Sequence, residues 1–273
     1  MAKHAMSDLS YDDKKSGVIF GFFRQILFLA KKFETNNFAF VWDSPASLRK
    51  EIYPEYKENR KKIERTKEEI EDDIIAFKQF SLLREEILPK LGFSNIFMLP
   101  GYEADDIIAQ VCKDSVSEIM IVSSDNDLYQ LLTEEVCIYD PRRKDFYTKE
   151  NFLADYEIVP GDWKRVKGIA GCTSDGVQGI RGVGEKTAIK YLLKKMNPVS
   201  KSYEEIRAFL KSDEYARNLQ LVTLPYPKIP KVNLHEQKEL SADYFINVCQ
   251  RFGFNSFMTK DGYDQWKNHL RLV

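Results

Sequence analysis

The sequence predicts an α/β protein, with a parallel-sheet core over residues 1–150 and a helical region over 151–273. Three observations predict it. Apolar strand-like runs alternate with helical periodicities from residue 38 to 140, the pattern of a parallel sheet with helices on both faces. Beyond about residue 150 strand signals fade, and short helices joined by glycine turns take over. Carboxylates collect at strand ends and helix starts, which in an α/β sheet converge on one crevice.

The elements follow in order. Ser16 to Glu34 carries apolar residues at helical spacing, from Val18, Ile19, Phe22 and Phe23 to Phe33. Phe38 to Trp42 is a short strand ending at Asp43, and Pro45 to Asn59 is irregular. Lys61 to Lys90 reads as one long helix, basic first and acidic from Glu68 to Asp73. Asn95 to Leu99 is a second strand, followed by a Pro100-Gly101 turn. A helix from Glu103 to Cys112 has acids in its first turn, where the macrodipole favours them. Glu118 to Val122 and Val136 to Tyr139 are further strands, with a helical stretch at Leu128 to Leu132 between them. Pro225, Pro227 and Pro230 mark a linker, and Ala242 to Phe252 is the last predicted helix.

Composition narrows the function classes. A chain of 273 residues that is 43% hydrophobic can bury a sizeable core. Its net charge of −1 argues against a uniformly basic nucleic-acid binder, although basic and acidic residues are segregated along it. The four cysteines include no C-x-x-C pair, which argues against a structural zinc site or a disulfide framework and fits a reducing compartment. No apolar run reaches the length of a membrane span, and no signal peptide opens the chain. A soluble, cytoplasmic protein is expected.

The chemistry lies in four acidic places: Asp43 after FAFVW, Glu103, Asp105 and Asp106 in GYEADD, Asp125 and Asp127 in IVSSDNDL, and Asp175 in GCTSDG. Two carboxylates ~4 Å apart repel by roughly 4 kcal/mol at an effective dielectric of 20. A group packed that closely must share protons or bind cations. Oxygen-only ligands point to Mg²⁺ or Mn²⁺ rather than zinc.

Two further motifs have a plain and a functional reading. Residues 179–192 read GIRGVGEKTAIKYL, in which Gly182 and Gly184 make a tight turn before a helix. Its backbone N–H groups, with Lys186 and Thr187, suit a DNA phosphate and read no bases. Glycine turns between helices are also commonly structural. The stretch Tyr56 to Lys67 holds Lys57, Arg60, Lys61, Lys62, Arg65 and Lys67. It is either a solvated helix face or a clamp holding a polyanion against the acids.

In this order the motifs resemble those of the 5′-nuclease family, also called flap endonucleases. The matching segments are VWD ending at Asp43, RKEIYPEYKENR from Arg49 to Arg60, PGYEADD ending at Asp106, IVSSDNDLYQLL and GCTSDGVQGIRGVGEKTAIKYL. The FGF at Phe252 to Phe254 is similar to the family's closing segment. The resemblance implies a PIN-like nuclease core with a helical arch at about 45–90 and a helix–three-turn–helix at about 160–195. It implies that Asp43, Glu103, Asp105, Asp106, Asp125, Asp127 and Asp175 hold two divalent metals. Lys57 and Arg60 match the basic pair that contacts the scissile phosphate, with Tyr56 beside them and Arg49 in the same DNA-facing motif. Gly182, Gly184, Lys186 and Thr187 match the duplex-DNA site, which often carries K⁺. The implied partner is DNA with a 5′ flap, nick or free 5′ end, bound by a monomer without sequence preference in replication or repair.

Two departures matter. Family members open with an apolar strand ending in a metal-binding aspartate, whereas this chain opens with Met1-Ala-Lys-His-Ala-Met. That points to a truncated or misassigned start and to unpaired edges on two neighbouring strands; Asp8, Asp12 and Asp13 are not read as replacements. Cys172 stands where the family has an acid, and a neutral thiol is a poor Mg²⁺ ligand. The second metal is therefore expected to bind weakly, unless Cys172 is simply a small buried residue. An enzyme is the leading reading. A degenerate member that binds branched DNA without cutting it is the alternative. A phosphatase of small molecules would leave the hairpin and the basic stretch without purpose.

Overall fold

The computed structural model describes residues 10–11, 14–62 and 65–273. The chain start with Asp8, Asp12 and Asp13 lies outside the described residues. Besides two-residue strands and single-turn helices, the elements run in chain order as follows: α1 (Gly17–Phe33), β1 (Ala39–Val41), α2 (Lys67–Leu82), β2 (Asn95–Phe97), α3 (Ala104–Asp114), β3 (Ile119–Val122), β4 (Val136–Asp140), β5 (Asp145–Tyr147), α4 (Lys149–Tyr156), α5 (Trp163–Ala170), α6 (Glu185–Leu192), α7 (Lys201–Phe209), α8 (Asp213–Val222), α9 (Ala242–Phe252) and α10 (Lys260–Leu270).

Packing divides the chain into two compact units, and the division does not follow the change of sequence character near residue 150. One comprises Met1–Phe40, Glu64–Phe97 and Leu234–Val273; the other comprises Val41–Ile63 and Met98–Asn233.

In the first unit, α1 buries Val18, Ile19, Phe23, Ile26, Leu27, Leu29 and Ala30, the stripe that its 3.6-residue period dictates. Phe23 packs against Phe245, Phe254, Phe257 and Trp266. The C-terminal helices thereby share a core with the first one. The Gln79 side-chain oxygen accepts the backbone N–H groups of Val18 and Ile19, which satisfies two donors at the start of α1.

The long helix expected from Lys61 is shorter and interrupted. Glu58–Lys62 is a 3₁₀ turn, and α2 begins only after Thr66, whose hydroxyl and Glu69 form a reciprocal capping box. A π-turn at Leu83–Ile87 then precedes the short helix containing Pro89.

In the second unit, β3 and β4 pair in parallel from Ile119↔Val136 to Val122↔Tyr139. A third strand, β5, adds an antiparallel edge that the sequence reading missed. Strands β1 and β2 pair with each other in a separate sheet. The four predicted strands thus exist, but among the described residues they form two small sheets. Around β3 and β4 the core gathers Leu128, Ile138, Phe152, Trp163, Val166, Ile169 and Ala188. Strand β3 ends at Val122, so Ser123 to Asp127 lie beyond the C-terminal end of a parallel strand.

Candidate active site

All the acids of interest belong to the second unit. The Asp43 carboxylate accepts the backbone N–H of Ala104 at 2.9 Å, which ties the segment after β1 to the start of α3. Helix α3 begins there because Glu103 occupies the N-cap position in extended conformation, and its N–H is satisfied by Asp106. Asp125 caps the 3₁₀ turn Asn126–Leu131 by accepting the Asp127 N–H at 2.9 Å. These local bonds aim acids from three chain segments into one electrostatic neighbourhood. The Asp105 carboxyl is pushed up to about 7, first by burial and then by the negative charges of Asp125 and Asp43, with Lys57 opposing.

Asp106 departs from the expected ligand set. It is fully buried, and Arg49 grips both its oxygens, at 2.6 and 2.8 Å. The same oxygens accept the backbone N–H groups of Tyr226 and Glu103. Four donors occupy its lone pairs, so Asp106 is a structural counter-ion and not a metal ligand. Arg49 departs with it. Only 2% exposed, it also donates through Nε to the Leu221 carbonyl, so it faces the interior and not DNA.

Tyr56 is likewise internal, at 2% exposure. Its hydroxyl lies 3.1 Å from Glu103 and 3.0 Å from Asp175. Burial and these two carboxylates hold the phenol protonated. It is a strut between two acids and presents no aromatic face for stacking on DNA.

Lys57 and Arg60 do meet the acids. Lys57 Nζ donates to Glu103 at 2.7 Å and lies 3.8 Å from Asp175. Arg60 donates to the same Asp175 oxygen, Oδ1, at 2.7 Å while its side chain stays 54% exposed. Their turn is docked on the Asp175 loop: the Lys57 N–H donates to the Asp175 carbonyl and the Asn59 amide to the Thr173 carbonyl. Lys57 holds φ at +59°, a left-handed conformation uncommon for a side-chain-bearing residue.

The remaining acids contain a surprise. Ligand atoms of Asp127, Cys172 and Asp175 lie within 4.8 Å of one another. Cys172, read from sequence as a poor ligand, thus belongs to the tight trio. Lys167 was missed altogether. It projects from α5 beside Trp163 and Val166 and is 6% exposed, with Nζ 2.9 Å from Asp127 and 2.9 Å from Glu185. A lysine on the apolar stripe of a helix was the available signal. Asp127 is raised by burial, against the pull of Lys167.

By donor chemistry the candidate ligands fall into two halves, of which only the Asp127–Cys172–Asp175 trio has its ligand atoms within 4.8 Å of one another among the described residues. Asp43, Asp105 and Asp125 offer oxygen alone, and the Asp105 carboxyl is raised by burial first and by the charges of Asp125 and Asp43 second. This suits a hard divalent cation. The second half offers two carboxylates and a thiol, each carboxylate already held by a protein cation.

At the hairpin, Val183 is buried while Gly182 and Gly184 are exposed. Gly182 takes φ of +80°, and a Cβ at either glycine would meet nothing within 4 Å, so the backbone stands open. Gly184 is the N-cap of α6, with Lys186 exposed in its first turn.

The family model for the 5′-3′ exonuclease N-terminal resolvase-like domain matches residues 2–157. The chain belongs to that family. A 5′-3′ exonuclease of Aquifex aeolicus is 34% identical over 183 residues, covering 66% of this chain and 60% of that protein. The thermostable DNA polymerase I of Thermus thermophilus is 29% identical over 259 residues, 89% of this chain and 29% of the polymerase. The chain thus spans less than two thirds of the length of each of these relatives.

Among solved structures, the T5 5′-exonuclease with bound zinc matches at 25% identity and a TM-score of 0.66, covering 78% of this chain and 84% of that one. The bacteriophage T5 flap endonuclease in a complex with DNA and metal ions matches at 26% identity and 0.64, covering 74% and 79%. The catalytic core of Rad2, at 15% identity and 0.56, shares the fold and covers 96% of this chain and 86% of that one.

Proposed function

We propose that this chain is a divalent-metal-dependent 5′→3′ exonuclease and flap endonuclease that hydrolyses DNA phosphodiesters in replication or repair. The observation that carries this reading is the meeting of Lys57 and Arg60 with Glu103 and Asp175 at 2.7 Å. A basic pair and an acid cluster that share contacts can engage one phosphate from both sides.

In this reading Asp43, Glu103, Asp105, Asp125, Asp127 and Asp175 hold the ions, Mg²⁺ or Mn²⁺ being suited to the oxygen-only half. Bound there, divalent ions would supply the charge that activates water and stabilises the leaving 3′-oxygen. Lys57 and Arg60 exchange their carboxylate partners for the phosphoryl oxygens and neutralise charge developing there. Tyr56 keeps Glu103 and Asp175 in register by donating its hydroxyl proton to one or the other.

The hairpin holds the duplex. Open backbone at Gly182 and Gly184, the N-terminus of α6, Lys186 and Thr187 offer donors to phosphates alone, so binding ignores sequence. K⁺ at the hairpin, a monomeric state, preference for a 5′ flap, nick or free end, and cytoplasmic action complete the proposal. Among the described residues, no helix is long and apolar enough to cross a membrane.

A second reading, a branched-DNA binding module with little cleavage, draws on the protein cations already seated on Asp127 and Asp175. A labelled 5′-flap duplex with Mg²⁺ separates the two. Cleavage that disappears in Asp125→Asn supports the nuclease; tight binding with no product supports the module.

A further inference from the structure

We propose that the two halves of the centre differ in metal preference. The Asp43–Asp105–Asp125 half takes Mg²⁺ or Mn²⁺, while the Asp127–Cys172–Asp175 half selects a thiophilic divalent ion of the Zn²⁺, Cd²⁺ or Co²⁺ class. The inference rests on the nuclease reading only for the assignment of these acids as ligands.

Ligand chemistry is the first ground. Mg²⁺ demands oxygen donors in near-octahedral array and gains little from sulfur, whereas thiolate favours softer ions. Cys172 is 6% exposed, with Sγ 3.8 Å from an Asp127 oxygen and 3.1 Å from Ser174 Oγ. It thus sits inside the trio and not merely near it.

Orientation is the second ground. Lys167 holds Oδ1 of Asp127 at 2.9 Å, and the other oxygen, Oδ2, is the one that faces Cys172. An ion between Oδ2 and Sγ leaves that ion pair intact. Lys167 itself is fixed by Glu185 at 2.9 Å and by the Asn126 side chain at 3.2 Å. It acts as a positioning residue for the trio. On the far side, Asp175 is held by Arg60 through Oδ1 and by Tyr56 through Oδ2.

Charge is the third ground. With a neutral thiol in place of an acid, Arg60 on Asp175, and Lys167 shared between Asp127 and Glu185, a purely electrostatic ion meets less negative charge than three acids would offer. An ion that forms a metal–sulfur bond gains covalent stabilisation as well. In that step the S–H bond breaks, its electron pair passes to the metal–sulfur bond, and the proton leaves to solvent. Three protein ligands with a fourth position open to water or a phosphate oxygen are what a catalytic tetrahedral ion uses.

The test titrates the metal-free full chain with Cd²⁺ and follows the sulfur-to-cadmium charge-transfer absorbance in the ultraviolet. The expected result is a band saturating at one equivalent and persisting in a large excess of Mg²⁺. Cys172→Ser should lose the band while Cys112, Cys137 and Cys249 remain. Asp43→Asn should keep it, and Lys167→Met should weaken Cd²⁺ binding about 10–100-fold. By calorimetry, Cys172→Asp should gain a second Mg²⁺ equivalent that the parent chain lacks. Circular dichroism on each variant establishes that it is folded.

A band that survives Cys172→Ser, or that Mg²⁺ abolishes, overturns the proposal, as does a second tight Mg²⁺ in the parent chain. Flap cleavage is measured separately. Loss of the cleavage reading with the band retained, or the reverse, shows which of the two inferences failed.

Discussion

Arg49 and Asp106, 57 residues apart in sequence, form a bidentate ion pair with both side chains buried. The pair links the segment after β1 to the first turn of α3, and so fixes the acids on either side. Removing one partner leaves an uncompensated buried charge, which typically costs ~3–5 kcal/mol. Arg49→Met should therefore lower the urea midpoint substantially. Asp106→Asn should destabilise too, yet leave the number of bound divalent ions unchanged, as calorimetry would show. A loss of one equivalent would return Asp106 to the ligand set.

Tyr56 offers one proton to two carboxylates. Tyr56→Phe removes it while keeping the ring, at a cost of roughly 1.5–3 kcal/mol for a bond to a charged group. The expected outcome on flap substrate is a kcat lowered about tenfold or more with KM little changed. An equal loss in KM would assign Tyr56 to DNA binding after all.

Asp105 makes metal-free stability depend on pH. Its carboxyl titrates at about 7 in the folded chain against an ordinary 3.8. Between those values the unfolded chain has lost the proton and the folded chain keeps it, so this group's contribution falls as pH rises through the window. A divalent ion reverses the penalty by occupying the ionised form. Thermal melts should show Mg²⁺ raising Tm more at pH 8 than at pH 5. In Asp105→Asn the metal-free slope across this window should flatten.

The hairpin binds phosphate without reading bases, so Lys186→Ala should weaken binding uniformly across sequences and reduce the salt slope by about 1. Gly182→Val should weaken it further, because φ of +80° strains any β-branched residue. Fluorescence anisotropy on duplexes of different sequence at several salt concentrations measures both.

Much of this was legible in the chain. Helices α1 and α9 announce themselves by apolar period, and Asp43, Asp105, Asp125, Asp127 and Asp175 stand at strand ends and turns where ligands collect. Helix α2 was misread because a charged run hides a cap: only the hydrogen bonds of Thr66 and Glu69 reveal where the helix begins. Helix α10 escaped because polar residues dominate its period, and β5 because three residues carry little pattern. The partners of Asp106, Tyr56 and Lys167 were beyond reach for another reason. Acids within one short motif look alike in sequence, and only the fold decides that Asp105 faces the cluster while Asp106 faces Arg49.

The central claim is that the basic pair and the acids act on one phosphate. Single-turnover cleavage of a 5′-flap duplex by Lys57→Ala and Arg60→Ala, with Kd measured in parallel, tests it most directly. The account predicts rates reduced about 10²–10³-fold for each, with Kd changed only a few-fold. Unchanged rates, or rate losses explained wholly by weaker binding, would contradict it.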